Sequence, residues 1–200
     1  NTTAANNTGV GYKSLYANTT GADNVAVGTS ALSTQTTQSG NVAVGHEAAE
    51  VLATTGCVAV GTEAAKATTT GYDFVAVGSY ALLSNTTGHS NSAVGFRALD
   101  ANTTGSHNTA LGYAALTGNT EGDSNVSVGW KSLELNTTGG SNVAVGRDAL
   151  GENTTADNNT GVGFNALGAN TTGTQNTAVG GNALDANTTA DNNTSVGYNS

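Results

Sequence analysis

One glycine recurs at an almost fixed interval along the whole chain. It closes the stretch Asn24-Val25-Ala26-Val27-Gly28 and related stretches, and it stands at positions 11, 28, 45, 61, 78, 95, 112, 129, 146, 163, 180 and 197. Ten of the eleven intervals are 17 residues long, and the interval from Gly45 to Gly61 is 16. A period this strict indicates a repeat array in which each coil packs on the next. We therefore interpret residues 1–200 as a single solenoid array.

The composition favours an all-β array. Gly, Asn and Thr are abundant, but the Val and Ala positions follow the period, as a packed core requires and a disordered chain does not. Proline, which would remove hydrogen bonds from a β-ladder, is absent. The sequence predicts a parallel β-solenoid of twelve coils of about 17 residues. With about 4.8 Å between stacked strands, the rod would be roughly 55 Å long.

The columns of the repeat predict the roles of its residues. We expect the Val column and the Leu column to form the core, as in Val27, Leu32, Val94, Leu99, Leu116, Val145, Leu150 and Leu167. The residue before each Val is always small, as in Ala26, Ala43, Ala93, Ala110, Ala144 and Ala178. Since neighbouring strand residues point to opposite faces, we expect this second face to pack closely against another element or another copy of the chain.

An asparagine precedes most of the strands. Identical amides in stacked coils can hydrogen bond along the axis, which predicts a structural ladder. Its members are Asn24, Asn41, Asn91, Asn108, Asn125, Asn142, Asn159 and Asn176. The coils over residues 35–84 are degenerate, because Cys57 and Phe74 replace the ladder asparagine and Ala49 and Ala65 replace the core leucine. We expect these coils to be the weakest part of the rod, with Cys57 as a small buried filler.

A surface column follows the recurrent glycine and contains a candidate aromatic strip. In consecutive coils it reads Phe96, Tyr113, Trp130, Arg147 and Phe164. At coil spacing these rings can stack, with Arg147 in cation–π contact with its neighbours. Two interpretations stay open: the strip stabilises the rod or its lateral packing, or it binds sugar rings or another surface.

The residues that carry chemistry do not form a recognisable active site. His46, His89 and His107 occupy three different columns, so we predict no catalytic residues, metal site or cofactor. Glu47 and Glu63 share a column and would share a cation or, as we expect, splay into water. We expect Glu50 to pair with Lys66, and Lys131 with Asp148.

Scattered basic residues and the lack of a long apolar run predict no nucleic-acid partner and no membrane insertion. The repeated Asn-Thr-Thr sequence suggests two further alternatives. It forms glycosylation sequons, as at Asn18, although the turn itself favours the same residues. Its threonine columns are also similar to the hydroxyl arrays of ice-binding solenoids, in which the two threonines are not adjacent. We keep ice binding and glycan binding as alternative functions.

The stretch Asn102 to Leu116, Asn-Thr-Thr-Gly-x-x-Asn-Thr-Ala-Leu-Gly-Tyr-x-Ala-Leu, resembles repeats of phage tail-fibre and bacterial surface-fibre proteins. The Asn-x-Ala-Val-Gly core is also similar to the head repeats of trimeric autotransporter adhesins. This resemblance implies a left-handed β-roll, side-by-side packing of chains and binding to a host surface. We therefore expect a non-catalytic, structural or adhesive segment of an extracellular, cell-surface or virion fibre. Its partners would be other copies of itself, as a homo-oligomer or an end-to-end filament, and surface glycans.

Overall fold

The computed structural model describes residues 4–200, which form a parallel β-solenoid of about eleven turns with no helix. The twelve strands lie in one sheet in chain order, and each pairs in register with the next, so that Ala26 lies beside Ala43. They are β1 (Thr8–Val10), β2 (Val25–Val27), β3 (Val42–Val44), β4 (Val58–Val60), β5 (Val75–Val77), β6 (Ser92–Val94), β7 (Thr109–Leu111), β8 (Val126–Val128), β9 (Val143–Val145), β10 (Thr160–Val162), β11 (Thr177–Val179) and β12 (Thr194–Val196). Over these described residues, nothing helical is available to cross a membrane.

The recurrent glycine ends each strand because only glycine fits there. Gly129 has φ 139°, and an added Cβ would lie 2.7 Å from the carbonyl carbon of Gly146 in the next coil. The backbone pairing between coils nevertheless continues beyond the strands. Ser30, for example, donates its N–H to the carbonyl oxygen of Tyr12 at 2.8 Å. Three-residue strands are therefore part of a longer coil-to-coil hydrogen-bond ladder.

The core leucines adopt a backbone conformation that the sequence does not reveal. Leu32 has φ 49° and Leu99 has φ 55°, both in the left-handed region, and both side chains are fully buried. A non-glycine residue in this region costs about 1–2 kcal/mol. Burial of a leucine side chain, worth about 1.5–3 kcal/mol, offsets that cost. The leucine column thus forms the core, as predicted for Leu32, Leu99, Leu116, Leu150 and Leu167.

The two faces of the strands are the reverse of the prediction. The alanine column faces the coil interior, where Ala26, Ala43, Ala93, Ala110, Ala144 and Ala178 are buried. The assignment of Val27, Val94 and Val145 to the core is wrong, because these side chains point outward and are only partly buried. The interior is narrow: a Cβ added to Gly161 would lie 2.9 Å from the carbonyl oxygen of Ala166. The opposite wall of the same coil, and not a neighbouring chain, excludes larger residues.

The predicted asparagine ladder is confirmed, and its bonds run mainly to the backbone. The side-chain oxygen of Asn108 accepts the backbone N–H of Asn125 at 2.9 Å, and its amide donates to the carbonyl oxygen of Gly122 at 2.8 Å. The same pattern joins Asn24 to Asn41 and Asn142 to Asn159. We call this column the strand ladder; its members from Asn24 to Asn176 are buried.

A second ladder uses the asparagine of the Asn-Thr-Thr-Gly turn, which we call the turn ladder. From Asn102 to Asn187 each side-chain amide donates to the oxygen of the asparagine in the preceding coil, beginning with Asn85, as from Asn119 to Asn102 at 2.9 Å. Each also donates to the carbonyl three residues later, as from Asn119 to Gly122 at 3.0 Å. Turn preference alone would leave these side chains exposed, whereas Asn85 and Asn102 are fully buried.

The turn ladder is interrupted where Gln35, Leu52 and Thr68 replace asparagine. Three buried polar atoms have no hydrogen-bond partner within residues 4–200, and all lie at this interruption: Asn18 Oδ1, Gln35 Nε2 and Thr68 Oγ1. In compensation, Leu52, Cys57 and Phe74 all point into the core. In the degenerate coils, apolar packing therefore takes the place of amide hydrogen bonds. The expectation that these coils are weak because they have fewer core side chains is incomplete.

Replacing Thr68 with asparagine should repair one rung of the turn ladder. The new side-chain oxygen would accept the amide of Asn85, and the new amide would reach the carbonyl oxygen of Gly71, as Asn85 reaches Gly88. Because an unsatisfied hydroxyl is replaced by bonded groups, we expect Thr68→Asn to raise the free energy of unfolding by about 1 kcal/mol. Urea denaturation followed by circular dichroism measures this gain. Thr70→Asn, at an exposed turn position, is the control and should change little.

Candidate functional site

The outward side of the sheet is a charge-free surface. It consists of the first and third residues of the twelve strands, which we call the outer strand face. Its 24 positions are occupied by Val, Thr, Ser and Leu alone. Because the strands are in register, these residues form two straight columns along the rod. Sequence reasoning missed this surface because it assigned the valine column to the core.

The predicted aromatic strip is confirmed as a stack beside the outer strand face. The ring centroids of Phe96 and Tyr113 are 5.4 Å apart with an interplanar angle of 16°, and those of Tyr113 and Trp130 are 6.3 Å apart at 14°. The Arg147 guanidinium lies 5.1 Å from the Trp130 ring and 5.4 Å from the Phe164 ring. Arg147 thus replaces a ring in the stack through cation–π contacts.

Most of the exposed large apolar side chains lie on this one side of the rod. Of fifteen in the described chain, eleven belong to the outer strand face or to the column of the aromatic strip. They are Val10, Tyr12, Val75, Phe96, Leu111, Tyr113, Trp130, Phe164, Val179, Val196 and Tyr198. A contiguous apolar surface of this kind is typical of a contact site, whereas single exposed apolar residues are common everywhere.

The Asn-Thr-Thr turns have two of their three polar side chains engaged in hydrogen bonds within the rod. The first threonine hydroxyl of most turns donates to the backbone of the next coil, as from Thr103 to the carbonyl oxygen of Thr120 at 3.0 Å. The sequon asparagines Asn18, Asn102 and Asn136 are buried in the turn ladder. The first threonine hydroxyls and these asparagine amides are therefore engaged, whereas the second threonines of the turns, such as Thr87 and Thr104, are exposed.

The way in which the rings of the aromatic strip stack affects whether the strip can bind sugars. Sugar rings contact the flat faces of aromatic side chains, and in the strip those faces are turned toward the neighbouring rings and Arg147. What the strip presents to solvent is mainly ring edges, with Trp130 41% exposed and Tyr113 49% exposed. This arrangement favours rod stabilisation and lateral packing over stacking of sugars on single rings.

The charged groups pair differently from the predictions. Glu47 and Glu63 do not splay into water: Lys66 Nζ lies 2.6 Å from Glu47 Oε2 and 3.4 Å from Glu63 Oε2. The predicted pair of Glu50 with Lys66 is present as well, at the longer distance of 4.0 Å. The hydrogen bond from Lys66 lowers the pKa of the Glu47 carboxyl.

The remaining predicted pair and the histidines also differ. Lys131 pairs with Glu134 at 2.8 Å instead of with Asp148, because Glu134 follows it by three residues in the same turn. The prediction that the three histidines stay apart is wrong for two of them. The His89 and His107 rings lie 4.8 Å apart, centroid to centroid, because they occupy adjacent columns of adjacent coils. His46 lies elsewhere, next to Glu47.

Cys57 is buried and its thiol is free, as expected for a small core filler. Burial raises the pKa of the Cys57 thiol, because the thiolate would lose its solvation. A weak contact with Thr54 Oγ1 at 3.6 Å holds the sulfur in the core. The residue therefore has the environment of a structural cysteine and not of a nucleophile.

Comparisons with models of known protein families, with curated proteins and with solved structures give no match for this chain. The functional assignment therefore depends on the geometry of its surfaces.

Proposed function

We propose that this chain is a structural, non-catalytic fibre segment whose copies associate side by side through the outer strand face and the aromatic strip. The observation that carries the proposal is the outer strand face, which has no charged residue and runs along one side of the described rod beside the exposed rings of the aromatic strip. Burying a charged side chain without a partner is strongly unfavourable. Association through the outer strand face would bury no charged side chain at any of its 24 positions.

The size of the surface supports the same proposal. Twelve coils at about 4.8 Å each give a length of roughly 55 Å, and the two columns of the outer strand face with the aromatic strip give a width of roughly 15 Å. The product, about 800 Å², equals the area that each partner buries in a standard protein–protein interface. Aromatic residues and Arg, which form the strip, are also enriched in the centres of such interfaces.

The copies would form a rod or filament outside the cell or on a virion. The resemblance of the Asn-Thr-Thr-Gly repeats to surface-fibre and tail-fibre repeats supports this location, and the extended shape of a stacked solenoid suits it. Adhesion to another surface would then use residues outside the buried face. Ice binding and glycan binding are less well supported, because the first threonine hydroxyls of the turns and the ring faces are already engaged.

Charged substitutions on the outer strand face should abolish the association. Val94 and Val128 occupy the same column two coils apart and point outward, so Val94→Lys/Val128→Lys places two charges at the interface without disturbing the core. We expect the wild-type chain to form multimers or filaments in analytical ultracentrifugation and electron microscopy. The double variant should weaken association at least tenfold, since each unpaired buried charge costs more than about 1.4 kcal/mol.

The matched control is Thr104→Lys/Thr138→Lys, which adds the same charge at exposed turn positions that are also two coils apart. These residues lie outside the outer strand face, so association should persist. A wild-type chain that sediments as a monomer at all concentrations, or a face variant that assembles like the wild type, would refute the proposal.

A further inference from the structure

A histidine and two glutamates converge beside the Gly45 and Gly61 corners of the rod. One nitrogen of His46 and one carboxylate oxygen each of Glu47 and Glu63 lie within 4.8 Å of one another. Glu63 lies directly above Glu47 because the two occupy the same position in successive coils, and its N–H donates to the carbonyl oxygen of His46 at 2.8 Å. The backbone of the solenoid therefore holds the three donors in place.

The cluster contains one lysine, Lys66, and this lysine does not contact every carboxylate oxygen of the cluster. Lys66 Nζ contacts the Oε2 atoms of Glu47 and Glu63, while Glu47 Oε1 faces His46 Nε2 at 3.6 Å. With Glu50 included, three carboxylates surround one lysine, which leaves two unbalanced negative charges when His46 is neutral. A divalent cation beside the imidazole would balance both.

We propose that His46, Glu47 and Glu63 bind Zn²⁺ on the side of the cluster away from Lys66, with a water molecule as the fourth ligand. Imidazole nitrogen and carboxylate oxygen are both common zinc ligands, at about 2.0–2.2 Å from the metal. Two such bonds at a tetrahedral angle place the donor atoms about 3.4 Å apart. The 3.6 Å separation of His46 Nε2 and Glu47 Oε1 is close to that value.

Zinc at this position would join two coils near the interruption of the asparagine ladders. His46 and Glu47 belong to the coil of β3, and Glu63 belongs to the coil of β4. Both asparagine ladders are interrupted nearby, at Leu52 and Cys57. Sequence reasoning excluded a metal by requiring several histidines together, although the shared column of Glu47 and Glu63 next to His46 was the available signal.

Titration of the full chain with ZnCl₂ by isothermal calorimetry, in a buffer that does not chelate metals, tests the proposal. We expect one site per chain, and His46→Ala or Glu63→Gln should weaken binding at least about tenfold. His46 is half-exposed, so its loss should leave the fold intact, which circular dichroism checks. His107→Ala is the matched control and should bind like the wild type, because that histidine packs against His89.

Lys66→Gln separates a metal site from a purely structural charge cluster. Removing the lysine deletes a positive charge next to both carboxylates, so zinc affinity should rise, whereas a cluster that serves only as an ion pair would simply be weakened. The proposal is overturned if the wild type shows no zinc binding, if His46→Ala binds zinc as tightly as the wild type, or if His107→Ala loses binding to the same extent.

Discussion

Gly129→Ala should lower the free energy of unfolding by about 3–5 kcal/mol, although it adds one methyl group. Two effects combine: φ 139° is unfavourable for alanine by about 1–3 kcal/mol, and the new Cβ collides with the backbone of Gly146. Overpacking of this kind typically costs a further 1–3 kcal/mol. The neighbour cannot move aside, because Gly146 is itself bonded to Val128 in the coil of Gly129.

Gly56→Ala is the matched control for this substitution. Gly56 also has a positive φ, 71°, but a Cβ there meets no atom within 4 Å. The control substitution should therefore lower the free energy of unfolding only by the conformational cost of alanine at a positive φ, about 1–2 kcal/mol. Urea denaturation measures the stability of both variants. Each coil of a repeat array contacts only its neighbours, so a weakened coil uncouples the coils before it from those after it. Limited proteolysis should therefore detect local opening around residue 129. If the two substitutions lower the free energy of unfolding equally, the close contact between coils at the glycine corner does not add to the cost of the new Cβ.

The fold could be predicted from the period alone. A 17-residue interval between corner glycines fixes the coil length, and the single 16-residue interval is accommodated without a break in the register from Val42 to Val58. The leucine core and the strand ladder followed for the same reason: a column of identical residues in a stacked array has a single environment. The order of the twelve strands then follows from chain order.

The orientation of the strand could not be predicted from the same columns. Val27 is larger and more apolar than Ala26, so ordinary hydrophobicity favours Val27 for the core. The interior of a 17-residue coil is instead filled by Leu32, Ala31 and two asparagine side chains, which leaves room only for alanine opposite them. The inversion matters for function, because it moves the valine column to the surface on which the proposed association depends.

The turn ladder was hidden for a different reason. Asn-Thr-Thr-Gly has the composition of an exposed turn, and Asn18 would be expected to bond its own backbone. That bond exists, from Asn18 to the carbonyl oxygen of Gly21 at 3.0 Å, but the side chain is buried and in intact coils also bonds to the adjacent coil. One asparagine thus satisfies both the local turn and the stack.

Asn142→Ala should lower the free energy of unfolding by about 3–4 kcal/mol, because it removes one rung from the centre of the strand ladder. The Asn142 side chain accepts the N–H of Asn159 at 2.9 Å and donates to the carbonyl oxygen of Ala156 at 2.8 Å and to Asn125 Oδ1 at 3.2 Å. Its loss leaves a buried N–H without a partner, at about 1–3 kcal/mol, and removes two further bonds.

Asn193→Ala distinguishes a true ladder from a generic loss of asparagine. Asn193 occupies the same column and donates to Asn176 Oδ1 at 3.1 Å, but within residues 4–200 its oxygen accepts no N–H. We expect this control to cost about 1 kcal/mol. If both variants are equally stable by urea denaturation, the coils are held by backbone pairing and core packing alone. If only Asn142→Ala is strongly destabilised, the buried amides contribute to stability by joining one coil to the next.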